Sequence, residues 1–96
     1  MPVVIVQQGP TLTQEKYDEI VSRLTGKDRV ESPSDWPAEG LLVHATGEGA
    51  DGFRVVDVWV SEAAFREFGE TLMPILDELG VTDQPEVYPA HSFVSA

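Results

Sequence analysis

The chain has 96 residues, 17 acidic against 6 basic, a net charge of −11 and no cysteine. That length makes one domain, residues 1–96, with a modest core that buries roughly 60 to 65% of the surface its unfolded form exposes. The acidic excess repels phosphate backbones and anionic lipid, which argues against nucleic acid or membrane partners, and the lack of thiols excludes disulfides, thiolate nucleophiles and cysteine-held metal.

Met1-Pro2 runs straight into Val3-Val4-Ile5-Val6 with no basic leader, long apolar stretch or small-residue cleavage site, so a cytoplasmic protein is expected. No apolar run approaches the ~18 residues that cross a bilayer. Residues 2–8, rich in valine and isoleucine, predict a first strand that stops at Gly9-Pro10. Thr11 and Thr13 are alternative N-caps for a helix, Thr11 with Gln14 at capping-box spacing. Tyr17, Ile20, Val21 and Leu24 then recur at helical spacing up to Gly26. Residues 27–39 predict a long polar loop in which Trp36 either plugs a core edge or lines a cavity mouth.

Residues 40–46 predict a second strand, with Leu41, Val43 and Ala45 on one face and Leu42, His44 and Thr46 on the other. A glycine-rich turn over 47–52 joins it to an antiparallel third strand over 52–61. Alternation sorts that strand into Phe53, Val55, Asp57 and Trp59 on one face and Arg54, Val56, Val58 and Val60 on the other. Both faces are largely apolar, which in a chain with few helices calls for a second copy to cover one of them. Ser61 caps a second helix, with Phe65, Phe68, Leu72, Ile75 or Leu76, and Leu79 on its apolar side and Gly80 at its end. Its acidic residues, Glu62, Glu67, Glu70, Asp77 and Glu78, read as a solvated face, and Pro74 predicts a kink or restart. Residues 85–95 predict a fourth strand containing Pro89, which belongs on a sheet edge or at a bulge.

This order, βαββαβ, is that of an α+β, ferredoxin-like fold, an antiparallel sheet with both helices on one face. The bare face, assigned Val55, Trp59 and Leu42, is expected to meet a second copy in a homodimer that encloses a space, a dimeric α+β barrel. The layout, and especially GLLVHATGEGADGFRVVDVWVSEAAFREFGETLMPIL over residues 40–76, resembles the dimeric α+β barrel proteins. Within them it is most similar to small antibiotic biosynthesis monooxygenase-like proteins. The superfamily holds cofactor-free oxygenases, haem-degrading oxygenases, polyketide cyclases and isomerases, so the resemblance implies a fold more than an activity. Its oxygenases commonly pair an asparagine with a tryptophan, and the haem degraders add a helical histidine. Trp59 matches the tryptophan, but this chain has no asparagine and neither helix carries a histidine. The cavity histidines and tyrosines of cyclase-like members are matched by type in His44, Tyr88 and His91.

From the residues themselves, hairpin pairing brings His44 opposite or diagonal to Asp57. A carboxylate there fixes the imidazole tautomer and suits His44 as a general base, although the pair reads equally as a buried acid satisfied by its one partner. Trp59 offers a flat wall and an N–H donor, Val55 and Leu42 offer apolar lining, and either Tyr88 or His91 faces the cavity, with Gln7 or Gln8 beside it. Neither histidine stands at ligand spacing with a second ligand, so no metal is expected, and no cofactor either. The turn over 47–52 lacks the Lys-Ser/Thr ending of a phosphate loop. Two functions remain open. One is an enzyme for a small apolar, aromatic or polyketide-like molecule, monooxygenase-like with His44 as base, or cyclase-like. The other is a non-catalytic dimeric module that binds a hydrophobic ligand or fills its own barrel.

Overall fold

In the computed structural model, four strands and two α-helices follow the expected order. They are β1 (Val3–Gln8), α1 (Gln14–Thr25), β2 (Leu41–Gly49), β3 (Gly52–Trp59), α2 (Glu62–Leu79) and β4 (Glu86–Pro89), with a 3-10 turn at Pro33–Asp35. The structure describes residues 1–27 and 29–94. Asp28, in the expected loop, and Ser95, the expected end of the last strand, lie outside the described residues. The sheet is antiparallel throughout with strand order β2-β3-β1-β4, the ferredoxin-like arrangement. No described helix is long and apolar enough to cross a membrane.

The helix ends follow from capping chemistry. Thr13 is the N-cap of α1, its hydroxyl accepting from the Lys16 N–H at 3.2 Å, and Gly26 closes the helix in the left-handed region at φ 72°. Thr11, the alternative cap, bonds instead to the Asp83 carboxylate. Ser61 caps α2 through the Ala64 N–H at 3.1 Å. The two-part helix expected from Pro74 is one helix of 18 residues. Proline removes a single backbone donor, Pro74 lies on the exposed side, and Leu72 and Leu76 hold the turns on either side of it to the two hydrophobic clusters. Pro89 ends β4, and β4 is an edge strand, where a missing donor is tolerated.

Register decides which side chains share a face. Across β1, β3 and β2, Val3, Trp59 and Leu41 align, and Ile5, Asp57 and His44 align. Strict alternation would put Leu41 and His44 on opposite faces. The β2–β3 register shifts between Leu41 and Val43, so the extra residue, Leu42, turns outward at 38% exposure while Leu41 and His44 both face in.

The covered face is the one bearing Asp57 and Trp59, and the chain's own helices cover it. Trp59 is fully buried, its ring stacked on Phe68 at 5.3 Å and edge-on to Phe65 at 6.1 Å. The expectation that a second copy closes over these residues is therefore corrected. Alternation tells which residues share a face but not which face the helices choose, and the large aromatic surface of α2 takes the side with the largest sheet residue. The open face carries Val4, Val6, Val43, Val56 and Val58, half-buried, with Tyr88 exposed at its edge.

Candidate functional site

Between the sheet and the two helices lies a cavity of about 130 Å³, lined mainly by apolar side chains such as Ile5, Ile20, Val55, Phe68 and Leu76. One part of its polar wall is a connected chain of side chains. Tyr17, from the second turn of α1, reaches across to β2 and its hydroxyl lies 2.6 Å from His44 Nε2. His44 Nδ1 lies 2.7 Å from Asp57 Oδ1 on the paired position of β3. Trp59 Nε1–H, two residues along the same strand face, donates to Asp57 Oδ2 at 3.3 Å. A carboxylate can only accept, so Nδ1–H is the donor to Asp57, and the other nitrogen of a neutral imidazole accepts from the tyrosine hydroxyl. Every polar atom in this chain has its partner.

The elements make the chain local on the sheet and long-range to the helix. His44 and Asp57 are directly opposite each other across the hairpin, while the Tyr17–His44 bond spans 27 residues of sequence. Aromatic packing fixes the imidazole plane. The Trp36 ring lies 4.9 Å from it, and the Tyr17 ring, 5.9 Å away, stacks at 19°. The His44 and Asp57 side chains are 7% and 11% exposed, so water reaches little of the pair. Burial first, then the negative charge of Asp57 and of Asp18, push the Tyr17 phenol up to about 12. It stays a protonated donor across the physiological range.

Of the residues singled out in the sequence, His44, Asp57, Trp59 and Val55 come together here, Trp59 behind Asp57 rather than as a cavity wall. Leu42, Tyr88 and His91 are exposed and do not line the cavity; Tyr88 pairs with Val4 on the open face. Gln7 lines the cavity and donates to the Asp83 carbonyl, whereas Gln8 bonds to Arg54 outside it. Among the described residues no group of three potential ligands could hold a metal. Tyr17 was legible only as a core position of the helix. The signal in the sequence was that a tyrosine on an otherwise aliphatic face brings a hydroxyl that needs a partner. Trp36 does both things expected of it, packing into the core and lining the cavity.

No protein-family model matches the chain, and no curated protein matches it in sequence. Solved structures do match over almost its whole length. SnoaB, a cofactor-independent oxygenase from Streptomyces nogalater, superposes with a TM-score of 0.59 at 14% identity, covering 99% of this chain and 98% of that one. A candidate antibiotic biosynthesis monooxygenase from Deinococcus radiodurans gives 0.59 at 13% identity over 100% and 98% of the two chains. The chain has the fold of the antibiotic biosynthesis monooxygenase-like proteins. A candidate monooxygenase from Shewanella loihica, 20% identical over 96% of each chain, gives the same TM-score of 0.59. At such identities the likeness is one of backbone. Within this shared fold, the Tyr17–His44–Asp57 chain and the cavity beside it are properties of these particular residues.

Proposed function

We propose that this protein is a cofactor-independent, monooxygenase-like enzyme that takes a proton from a small, largely apolar, ring-bearing carbonyl compound. Tyr17 meets the substrate, His44 receives the proton through it, and Asp57 holds the imidazole. The observation that carries this reading is the unbroken chain Tyr17 Oη, His44 Nε2, His44 Nδ1, Asp57 Oδ1, with links of 2.6 and 2.7 Å, in the wall of an apolar cavity. A phenol pushed up to about 12 is a proton carrier: it passes its own proton to Nε2 as it accepts one from the substrate. Proton loss from a CH₂ beside a carbonyl leaves a carbanion able to reduce dioxygen directly. The carbon then becomes a second carbonyl with one oxygen atom, and the other leaves as water. No cofactor enters this scheme, and a cofactor-independent oxygenase among the proteins of the same fold supports it.

Cavity size sets the scale of the substrate. About 130 Å³ is a little below the ~150 Å³ that holds benzene in an apolar interior, so a single substituted ring requires the walls to part slightly and a fused, polyketide-like system requires them to part further. The cyclase-like alternative loses two of its candidates, since Tyr88 and His91 lie outside the cavity. A second copy is proposed on the open face, where Val4, Val6, Val43, Val56 and Val58 form an apolar surface of the kind that drives association.

Phenylacetone, whose benzylic CH₂ lies beside a carbonyl, tests the proton step. The protein accelerates exchange of those hydrogens with heavy water, followed by NMR, and consumes oxygen with the same substrate. Y17F and H44A keep the fold by circular dichroism and lose exchange by about 10²-fold or more. Wild-type exchange no faster than in buffer, with variants that change only the melting temperature, would leave the non-catalytic module as the answer.

A further inference from the structure

Among the described residues, the buried side-chain polar atoms are paired with one exception. Tyr17, His44, Asp57, Trp59 and Gln7 all have partners. Among the described residues the one buried side-chain nitrogen or oxygen without a partner is Trp36 Nε1, on a residue only 6% exposed that lines the cavity. An indole N–H buried and unmade costs free energy, and the ring contacts to His44 at 4.9 Å and Phe68 at 5.6 Å make no use of that N–H. The donor is the feature that packing does not explain.

We propose that the Trp36 N–H is a specificity determinant that donates to an oxygen of the bound ligand, so that the site selects aryl ketones and related oxygen-bearing rings over hydrocarbons of the same shape. Trp36 and Tyr17 both pack near His44 and both line the cavity, so a ring bound there meets both residues. An oxygen on the Trp36 side is the atom on which charge develops as the neighbouring C–H gives up its proton toward Tyr17, and a preplaced donor stabilises that charge. The backbone here is held by the Ala38 N–H to the Trp36 carbonyl at 2.8 Å and by Asp35 accepting from the Glu31 and Ser32 N–H groups. The indole is held by its packing against His44 and Phe68, and its N–H takes no part in that hold. This inference rests on the ligand-cavity reading above and adds to it the class of ligand.

Acetophenone and ethylbenzene, matched in size and differing in the carbonyl, are the probes, titrated into ¹⁵N-labelled protein. The chain has two tryptophans and hence two indole N–H signals, which W36F tells apart. Acetophenone is expected to move the Trp36 indole proton downfield and to bind W36F about tenfold more weakly than wild type, the worth of one hydrogen bond, while ethylbenzene binds both alike. The indole shift is read in the wild-type protein and stands even if W36F folds poorly, the signals then being assigned by through-space contacts to His44. Equal acetophenone affinity in wild type and a folded W36F, or an equal indole shift with ethylbenzene, overturns the role of Trp36 and leaves the proton-transfer reading intact. If neither probe binds, the cavity reading falls and this one with it. Y17F, by contrast, loses hydrogen exchange yet keeps the preference for acetophenone.

Discussion

At Tyr17 a single hydroxyl carries both a stability and a chemical consequence. Its pKa is raised from 10.0 to about 12, chiefly by burial and then by Asp57. Between those values the unfolded chain has lost a proton that the folded chain keeps, so the unfolded state binds fewer protons and stability falls as pH rises. The contribution is whole below about pH 10 and gone above about pH 12. Because the ring is only partly buried, screening reduces it to about 1 kcal/mol. Urea midpoints measured across this window should show the loss in wild type and a flatter profile in Y17F. Asp57→Asn tests the neighbouring link. An amide can keep its oxygen toward His44 only by turning its NH₂ toward the Trp59 N–H, and the opposite flip forces the proton of His44 from Nδ1 to Nε2, where Tyr17 now donates. Either way a buried donor loses its acceptor. D57N should lose about 1–3 kcal/mol by chemical denaturation, and its His44 ring-nitrogen shifts should report the changed tautomer.

At the level of elements, the join between β1 and α1 is tied to the join between α2 and β4 by one carboxylate. Asp83 Oδ2 accepts from the Thr11 N–H at 2.9 Å, the Thr11 hydroxyl at 2.6 Å and the Leu12 N–H at 3.0 Å. A Cβ added at Gly9 would meet that carboxyl group at 2.1 Å. Three hydrogen bonds keep the group from swinging aside, so G9A should cost about 2–3 kcal/mol, read as a lowered melting temperature. G9A/D83A should cost less than the sum of the single changes, since the second removes the obstacle created by the first. Most caps, the existence of each strand and the edge position of Pro89 were legible because each depends on a few neighbouring residues, whereas the fourth strand, expected over 85–95, stops at Pro89. The bulge at Leu42 was not legible. Nothing local distinguishes the extra residue in a run of Leu41, Leu42 and Val43, and it appears only when β2 must bring both Leu41 and His44 to the side where Trp59 and Asp57 lie.

For the whole molecule, the open sheet face is the remaining apolar surface to be covered. Val58→Asp, a charge near the middle of that face on the central strand β3, should convert the proposed dimer to a monomer by light scattering while leaving the secondary structure unchanged. Each copy carries a net charge of −11, so the proposed dimer should also tighten with added salt. A wild-type protein monomeric at all accessible concentrations would rule out the second copy. From sequence alone came the order of elements, most of their caps, the alternation along β3 and the nearness of His44 to Asp57, opposite or diagonal, because period, capping and hairpin register are set over short stretches of chain. Which sheet face the helices cover, and hence that Tyr17 rather than Tyr88 completes the chain of hydrogen bonds, was decided only in three dimensions. Those outcomes depend on how two surfaces far apart in sequence fit together, and here Phe65 and Phe68 on α2 fit Trp59.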